Sequence, residues 1–478
     1  MLRASEDWVA VGIGLLIFAL SSAAIFGVDL LGWSATAKVW LEPAKSIAPV
    51  AKGSTAPLWL SLIGAYAFVL TVMCTAAWLL GVNLARFCAA FTVLFVASVI
   101  CWIVGHYAYI AATSEKFEKL GITWSLNLTG ESSYVIALLV GLIIGNFFTG
   151  FAHGLKDAVR PELYIKTAIV IMGAALGVKS AETFGLAKSV MWRGLCAVIE
   201  AYLIYWAVTY FVARRYFRFS REWAAPLASG ISICGVSAAI ATAAAIRARP
   251  IVAVMVSSLV VIFAVIELLV LPFLSQHLLY NEPMVAGAWM GLAVKTDGAA
   301  IPAGAITDSL LRAKALAVQG VHYEEGWISM ATTTTKIFID IFIGVWAFLL
   351  AVIWTTVIEP KPGQRVRVKE IWDRFPKFVI GYIVTFAIML WLCLGDKEMI
   401  AAAKPATEEA TVYRQLFFLM TFLSIGIVSN FAKLKEEGIG RLAAVYAVSL
   451  FGFIVWFGLL ISWLFFAGVK PPLVGASG

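Results

Sequence analysis

Charge is scarce in this chain: only 13% of its 478 residues are Asp, Glu, Lys or Arg. A soluble domain carries about a quarter, so an ordinary charged surface is excluded. Several nucleotide and hydrolase motifs are missing as well. The sequence contains no GxxxxGK[ST] phosphate loop, no HExxH, no GxSxG elbow and no dinucleotide fingerprint following a strand, which argues against an ATP-driven pump or a soluble-type hydrolase. The six cysteines show no CxxC spacing, and the four histidines are scattered. Neither a disulfide framework nor a zinc site is expected, and no cofactor is called for.

Apolar residues make up 62% of the chain and the mean hydropathy is +0.92, the composition of a polytopic membrane protein. The net charge of +8 falls between the apolar runs, without the basic stripe that nucleic acid requires. Runs of about 17 to 25 apolar residues give thirteen candidate segments: 8–31, 58–80, 84–110, 133–151, 163–178, 190–212, 224–247, 250–272, 284–306, 328–357, 375–395, 412–432 and 438–467. The first is too long for a signal-peptide core and counts as a span.

The expected fold is therefore an all-α polytopic membrane protein with about 11–13 transmembrane segments. Residues 1–130, poor in intramembrane charge, read as additional or oligomerising helices, and 131–478 as the transporter core. Lys/Arg-rich loops lie on the cytoplasmic side of a cell membrane. Arg214, Arg215, Arg218 and Arg221 mark one such loop, and Lys361, Arg365, Arg367, Lys369, Arg374 and Lys377 another. These loops put the N-terminus inside the inner membrane and the C-terminus outside, with membrane lipid as surroundings and a homo-oligomer as a possible assembly.

The seventh segment is unusual. Ser229, Gly230, Ser232, Cys234, Gly235 and Ser237 crowd its middle, where a lipid-facing helix would carry Leu, Ile and Phe. Glycine permits unwinding, and serine can satisfy the backbone groups that unwinding exposes. The ninth holds Lys295, Thr296 and Asp297, with Gly298 beside them and Pro302 beyond. In a regular helix Lys295 and Asp297 would diverge by about 200°; an unwound turn lets both face one cavity.

If segments seven and nine both cross, Arg247 and Arg249 lie outside, and the 273–283 loop, free of Lys and Arg, lies inside. Both placements oppose the charge rule. If both dip in and return, seven from the cytoplasm and nine from outside, both loops fit. The sequence leaves the choice open.

Buried charge is costly and marks function. Lys336 and Asp340, four apart in the tenth segment, form either an interfacial pair or, if deeper, part of the cavity of Lys295. Glu200 and Glu267 are lone intramembrane carboxylates. Half-helix N-termini and serine hydroxyls suit a small anion. Ser229, Gly230, Ser232, Cys234, Gly235, Ser237, Lys295, Thr296 and Lys336 are thus candidates for binding it. Asp297, Asp340 and Glu267 are candidates for coupling to a proton or sodium ion. An ion pair serving packing alone is the plain alternative for Lys295 and Asp297.

GxxxG spacing at Gly141/Gly145, Gly173/Gly177 and Gly287/Gly291 signals close helix approach. Residues 167–190 and 421–445 share a design, a span followed by an amphipathic turn and a new span. They lie seven segments apart, as an inverted repeat would.

The stretch ASGISICGVSAAIAT at 228–242 resembles the SICG(A)SA signature of the YeiH-like membrane proteins, a family named for sulfate export. Lys166–Gly177, Leu142–Asn146 and Ser424–Gly426 extend the resemblance over roughly 131–467. It implies a secondary transporter related to cation/proton antiporters, with inverted repeats and broken helices. Where the family usually carries a His-Glu pair, this chain has Lys295, Thr296 and Asp297, and its first 130 residues exceed the family's usual N-terminus.

Three functions follow. The first is a secondary transporter of a small anion such as sulfate or a sulfonate. The second is a cation/proton antiporter using Asp297. The third is a non-transporting membrane subunit or sensor, which predicts no polar cavity between segments seven and nine.

Overall fold

The structure, a computed structural model, describes residues 5–51, 58–112, 116–126, 130, 132–358, 372, 375–430 and 440–474, leaving aside the side chains of 58–59, 200–202, 250, 254 and 344. The Glu200 side chain and the loop cations Lys361 to Arg374 lie outside the described residues.

In hydrocarbon every backbone group must be bonded within the chain, which leaves the helix as the unit of construction. Seventeen α-helices of ten residues or more organise the described residues: α1 (Glu6–Ser22), α2 (Leu58–Leu79), α3 (Leu84–Gly105), α4 (Ser132–Phe147), α5 (Pro161–Glu182), α6 (Phe184–Phe211), α7 (Arg221–Ser232), α8 (Val236–Ala245), α9 (Pro250–Leu278), α10 (Pro283–Ala293), α11 (Asp297–Gln319), α12 (Trp327–Ile341), α13 (Ile343–Ile353), α14 (Phe378–Cys393), α15 (Lys397–Val428), α16 (Gly440–Ser449) and α17 (Val455–Phe466). Pro161, Pro250 and Pro283 open their helices at the position where a missing N–H costs nothing. Gly320, at φ +66°, closes α11. The only sheet among the described residues is a two-stranded antiparallel ribbon, β1 (Ala35–Ala37) and β2 (Ile47–Pro49). The fold is all-α and polytopic, with nine stretches among the described residues long and apolar enough to cross a membrane.

The helices form two bodies. In the first, α5 is sandwiched by α1, α14 and α15, and α15 also packs on α4 and α3. Glycine permits these close approaches: a Cβ at Gly426 on α15 would stand 2.7 Å from the Gly141 Cα on α4, and one at Gly177 on α5 would stand 2.5 Å from the Phe386 carbonyl on α14. The GxxxG pairs are thus helix contacts. The α1 helix is tied in by charge, since Asp7 accepts from Lys166 Nζ at 2.9 Å and from the Lys377 N–H at 3.0 Å, and Glu6 pairs with Arg160.

The second body holds α6 to α13 together with α16 and α17. Here the seventh and ninth segments are hairpins that enter and return. Glu222, at the start of α7, accepts from the Arg249 N–H at 2.7 Å, just past the end of α8. A Cβ at Gly230 would touch Ala239 at 3.4 Å, so α7 and α8 lie side by side. In the other hairpin Gln319, ending α11, donates to Asn281, just before α10, at 2.5 Å. Helix α9, with 29 residues and about 43 Å long at 1.5 Å per residue, separates the two mouths. The hairpins therefore open on opposite faces, which settles the choice left open by loop charge. The first opens on the face that carries Arg214, Arg215 and Arg441, where the Arg441 guanidinium donates to the Phe217 carbonyl at 2.5 Å. The second opens on the face where Lys470 meets Glu282 at 3.2 Å.

Candidate functional site

The hairpin tips meet in the protein interior. After α7 the backbone leaves helical geometry at Ile233 (φ −105°, ψ −100°) and Gly235 (φ +74°, ψ −113°). After α10 it runs extended through Val294 and Thr296. Gly235 sits against the opposite tip: a Cβ there would stand 2.9 Å from the Thr296 side chain and 3.4 Å from the Lys295 carbonyl. A residue with a side chain fails twice at this point, by left-handed φ and by contact.

Each broken helix presents the negative end of its first half to this junction, and the freed carbonyls require a donor. Lys336 on α12 supplies it. Its side chain is fully buried, and Nζ donates to the Ile233 carbonyl at 3.1 Å, the Lys295 carbonyl at 2.8 Å and the Val294 carbonyl at 3.5 Å. Asp297, at the positive end of the second half-helix α11, places Oδ1 3.7 Å from Nζ. Asp340, four residues beyond Lys336 on α12, is buried as well, and its Oδ1 and that of Asp297 have no hydrogen-bond partner. The Lys336 ammonium, with the Asp297 carboxylate beside it, thus links both hairpins to α12. The interfacial option for Lys336 and Asp340 is overturned, because both side chains are buried at the junction.

Lys295 departs from expectation. Unwinding turns its side chain away from Asp297: Nζ donates to the Leu292 carbonyl and lies 4.6 Å from the Tyr205 ring centroid on α6. A cation over an aromatic face in a buried site is well compensated, so Lys295 and Asp297 do not share one cavity. The Lys295 backbone N–H, however, donates to Glu267 Oε2 on α9 at 2.8 Å. Glu267 is fully buried, and its Oε1 has no hydrogen-bond partner.

The serines divide. Ser229 Oγ accepts from Trp206 Nε1 at 3.0 Å and is turned toward α6. Ser232, on the last turn of α7, is buried with an unpartnered Oγ, as is Thr296 with Oγ1. Cys234 is buried in the break, and Ser237 is half-buried on the first turn of α8. Gly230 serves packing between α7 and α8. Tyr205 and the carbonyls of Ile233, Leu292 and Val294 were not foreseen: a tyrosine in an apolar run reads as packing, and a carbonyl has no residue code.

Two re-entrant helical hairpins meeting tip to tip around a buried lysine define an integral membrane protein with a polar centre. A family profile described as "Conserved hypothetical protein 698" matches residues 95–445, and the chain belongs to that family, whose members include UPF0324 membrane proteins. It is 45% identical to the UPF0324 membrane protein NE0724 of Nitrosomonas europaea, over 98% of this chain and 97% of that one. It is 30% identical to the UPF0324 membrane protein RB9488 of Rhodopirellula baltica, over 79% of this chain and 63% of that one. An uncharacterized protein of Archaeoglobus fulgidus is 52% identical over 30% of this chain and 88% of its own length. The resemblance read from the SICG stretch is borne out. No solved structure matches.

Proposed function

We propose that the chain is a secondary active transporter of a small anion, such as sulfate or a sulfonate, driven by a proton or sodium gradient. In this reading it is not an enzyme, and it sits in the cytoplasmic membrane with its N-terminus inside. The observation that carries the reading is the junction of two oppositely opening hairpins at Lys336. Irregular backbone at membrane depth is tolerated where it lines a site, and such a pair gives each face of the membrane its own route to one centre.

In the proposed cycle, the unpartnered hydroxyls of Ser232 and Thr296 and the N-terminal amides of α8 receive the anion. Asp297 and Asp340, the two buried carboxyl groups beside Lys336, hold the coupling proton. Losing that proton strengthens the hold of the carboxylates on Lys336 and draws the tips together, and regaining it loosens them.

One observation favours cation/proton exchange as a second reading. Three carbonyls and a carboxylate hold the Lys336 ammonium as they would hold a bound cation. Transport in proteoliposomes separates the two. Saturable uptake of a labelled oxyanion, lost in Lys336→Gln, supports the first. Sodium- or potassium-driven proton movement with no anion requirement replaces it with the second.

A further inference from the structure

On the face where α10 and α11 open, a cavity of about 710 Å³ lies between the two bodies, walled by α5 and α15 on one side, by α11 and α12 on the other, and by the β1–β2 ribbon. Most of its charge is already matched. Glu182 pairs with Lys404 at 2.8 Å. Asp308 pairs with Arg312 at 2.7 Å and accepts the Gly326 and Ile328 N–H groups at 3.0 Å. Glu325 lies 3.6 Å from Arg312.

Three cations remain. Lys38, beside the ribbon, Lys179 on α5 and Arg414 on α15 have no ion-pair partner among the described residues. The Arg414 Nε is buried without a hydrogen-bond partner, and its guanidinium stacks 5.7 Å from the Phe418 ring. Against them stand Glu408 and one further carboxylate charge, since Asp308 and Glu325 share the single Arg312. Interspersed with this charge is an apolar wall from Met172, Leu176 and Val412.

We propose that this vestibule is a capture site for an organic anion, one with an apolar body and an acidic head, and that it selects against bare inorganic oxyanions. The volume is that of a site for an organic molecule. A tetrahedral inorganic ion would leave the apolar wall uncovered, whereas a short alkyl chain covers it while its head meets Lys38, Lys179 and Arg414. Ala305 on α11 and Ser329 on α12 are part of its lining. Asp297 and Lys336 lie eight and seven residues away along those helices, or about two turns, so the same two helices connect the vestibule to the hairpin tips. Lys38 lies outside residues 95–445, which match the family profile. The N-terminal ribbon would therefore tune selectivity in this chain.

The proposal narrows the substrate class of the transport reading and rests on it for its role in transport, but binding tests it separately. The experiment is isothermal titration of the detergent-purified full chain at low ionic strength with hexanesulfonate and with sulfate. Hexanesulfonate should bind about tenfold more tightly, a margin that burial of about two methylenes supplies. Lys38→Gln and Arg414→Gln should each weaken it about tenfold, with circular dichroism unchanged. Lys336→Gln should keep this binding while losing transport. Equal affinity for sulfate overturns the proposal. So does unaltered binding in the Lys38→Gln, Lys179→Gln, Arg414→Gln triple variant, or loss of binding in a Lys336→Gln protein whose circular dichroism and thermal unfolding match the wild type, which would put the ligand at the tips. If transport persists where vestibule binding is absent, the proposal fails and the transport reading stands.

Discussion

Lys336 Nζ donates to the carbonyl of Ile233, 3.1 Å away, although Ile233 lies in the break after α7, Lys336 lies on α12, and α7 enters from the face opposite to α10. The same ammonium bonds the Lys295 carbonyl at 2.8 Å. One side chain thus fastens both hairpin tips. Lys336→Met should cost about 3–5 kcal/mol, the range for removing one partner of a buried ion pair, and should abolish transport. Denaturant unfolding of the purified protein measures the first and proteoliposome uptake the second. Wild-type stability in Lys336→Met would remove the fastening role.

Gly235 can be examined from the opposite side of the junction. A Cβ there would meet Val260 Cγ1 at 2.6 Å and Thr296 Cγ2 at 2.9 Å, and the positive φ adds about 1–3 kcal/mol of backbone strain. Gly235→Ala should be destabilised and inactive. Adding Val260→Ala should recover part of the stability but not all, because only the contact is relieved. Full recovery on thermal unfolding would show that the backbone conformation is unimportant.

Glu267 allows structure and coupling to be pulled apart. Its Oε2 accepts the Lys295 N–H inside the second break. Glu267→Gln keeps an acceptor oxygen and should retain stability. Glu267→Leu strands a buried N–H and should lose about 1–3 kcal/mol. If the residue also carries a coupling proton, Glu267→Gln will be stable yet deficient in gradient-driven uptake; normal uptake would confine Glu267 to holding the tip.

Hairpin topology predicts labelling. In a background without the six native cysteines, Glu222→Cys and Arg249→Cys should react with a membrane-impermeant thiol reagent from one side, and Asn281→Cys and Gln319→Cys from the other. Labelling of the first two from opposite sides would mean that α7 and α8 cross.

Much of the centre was legible before folding. Ser232, Gly235 and Thr296 could be picked out because small or hydroxyl residues interrupt runs that hydrocarbon would fill with Leu and Ile. Lys336 stood out because an ammonium inside an apolar run needs a partner. The partner itself was not legible: Asp340, four residues on, is the local choice, whereas Asp297 approaches Lys336 within 3.7 Å only because α11 and α12 pack side by side.

Lys295 shows the same limit. Its place in a break followed from Gly298 and its charged neighbours, yet its direction depended on Tyr205, distant in sequence, offering a ring face 4.6 Å away.

By itself the sequence determined the class of protein, the segments, the two irregular elements and the glycine pairs of close approach, because hydropathy, small-residue spacing and buried charge are local properties that act residue by residue. Tertiary structure alone decided that both elements turn back and that their tips touch. It also decided that one lysine serves two sets of carbonyls. Those outcomes depend on which helices lie side by side, and helix packing brings together groups that no spacing along the chain relates.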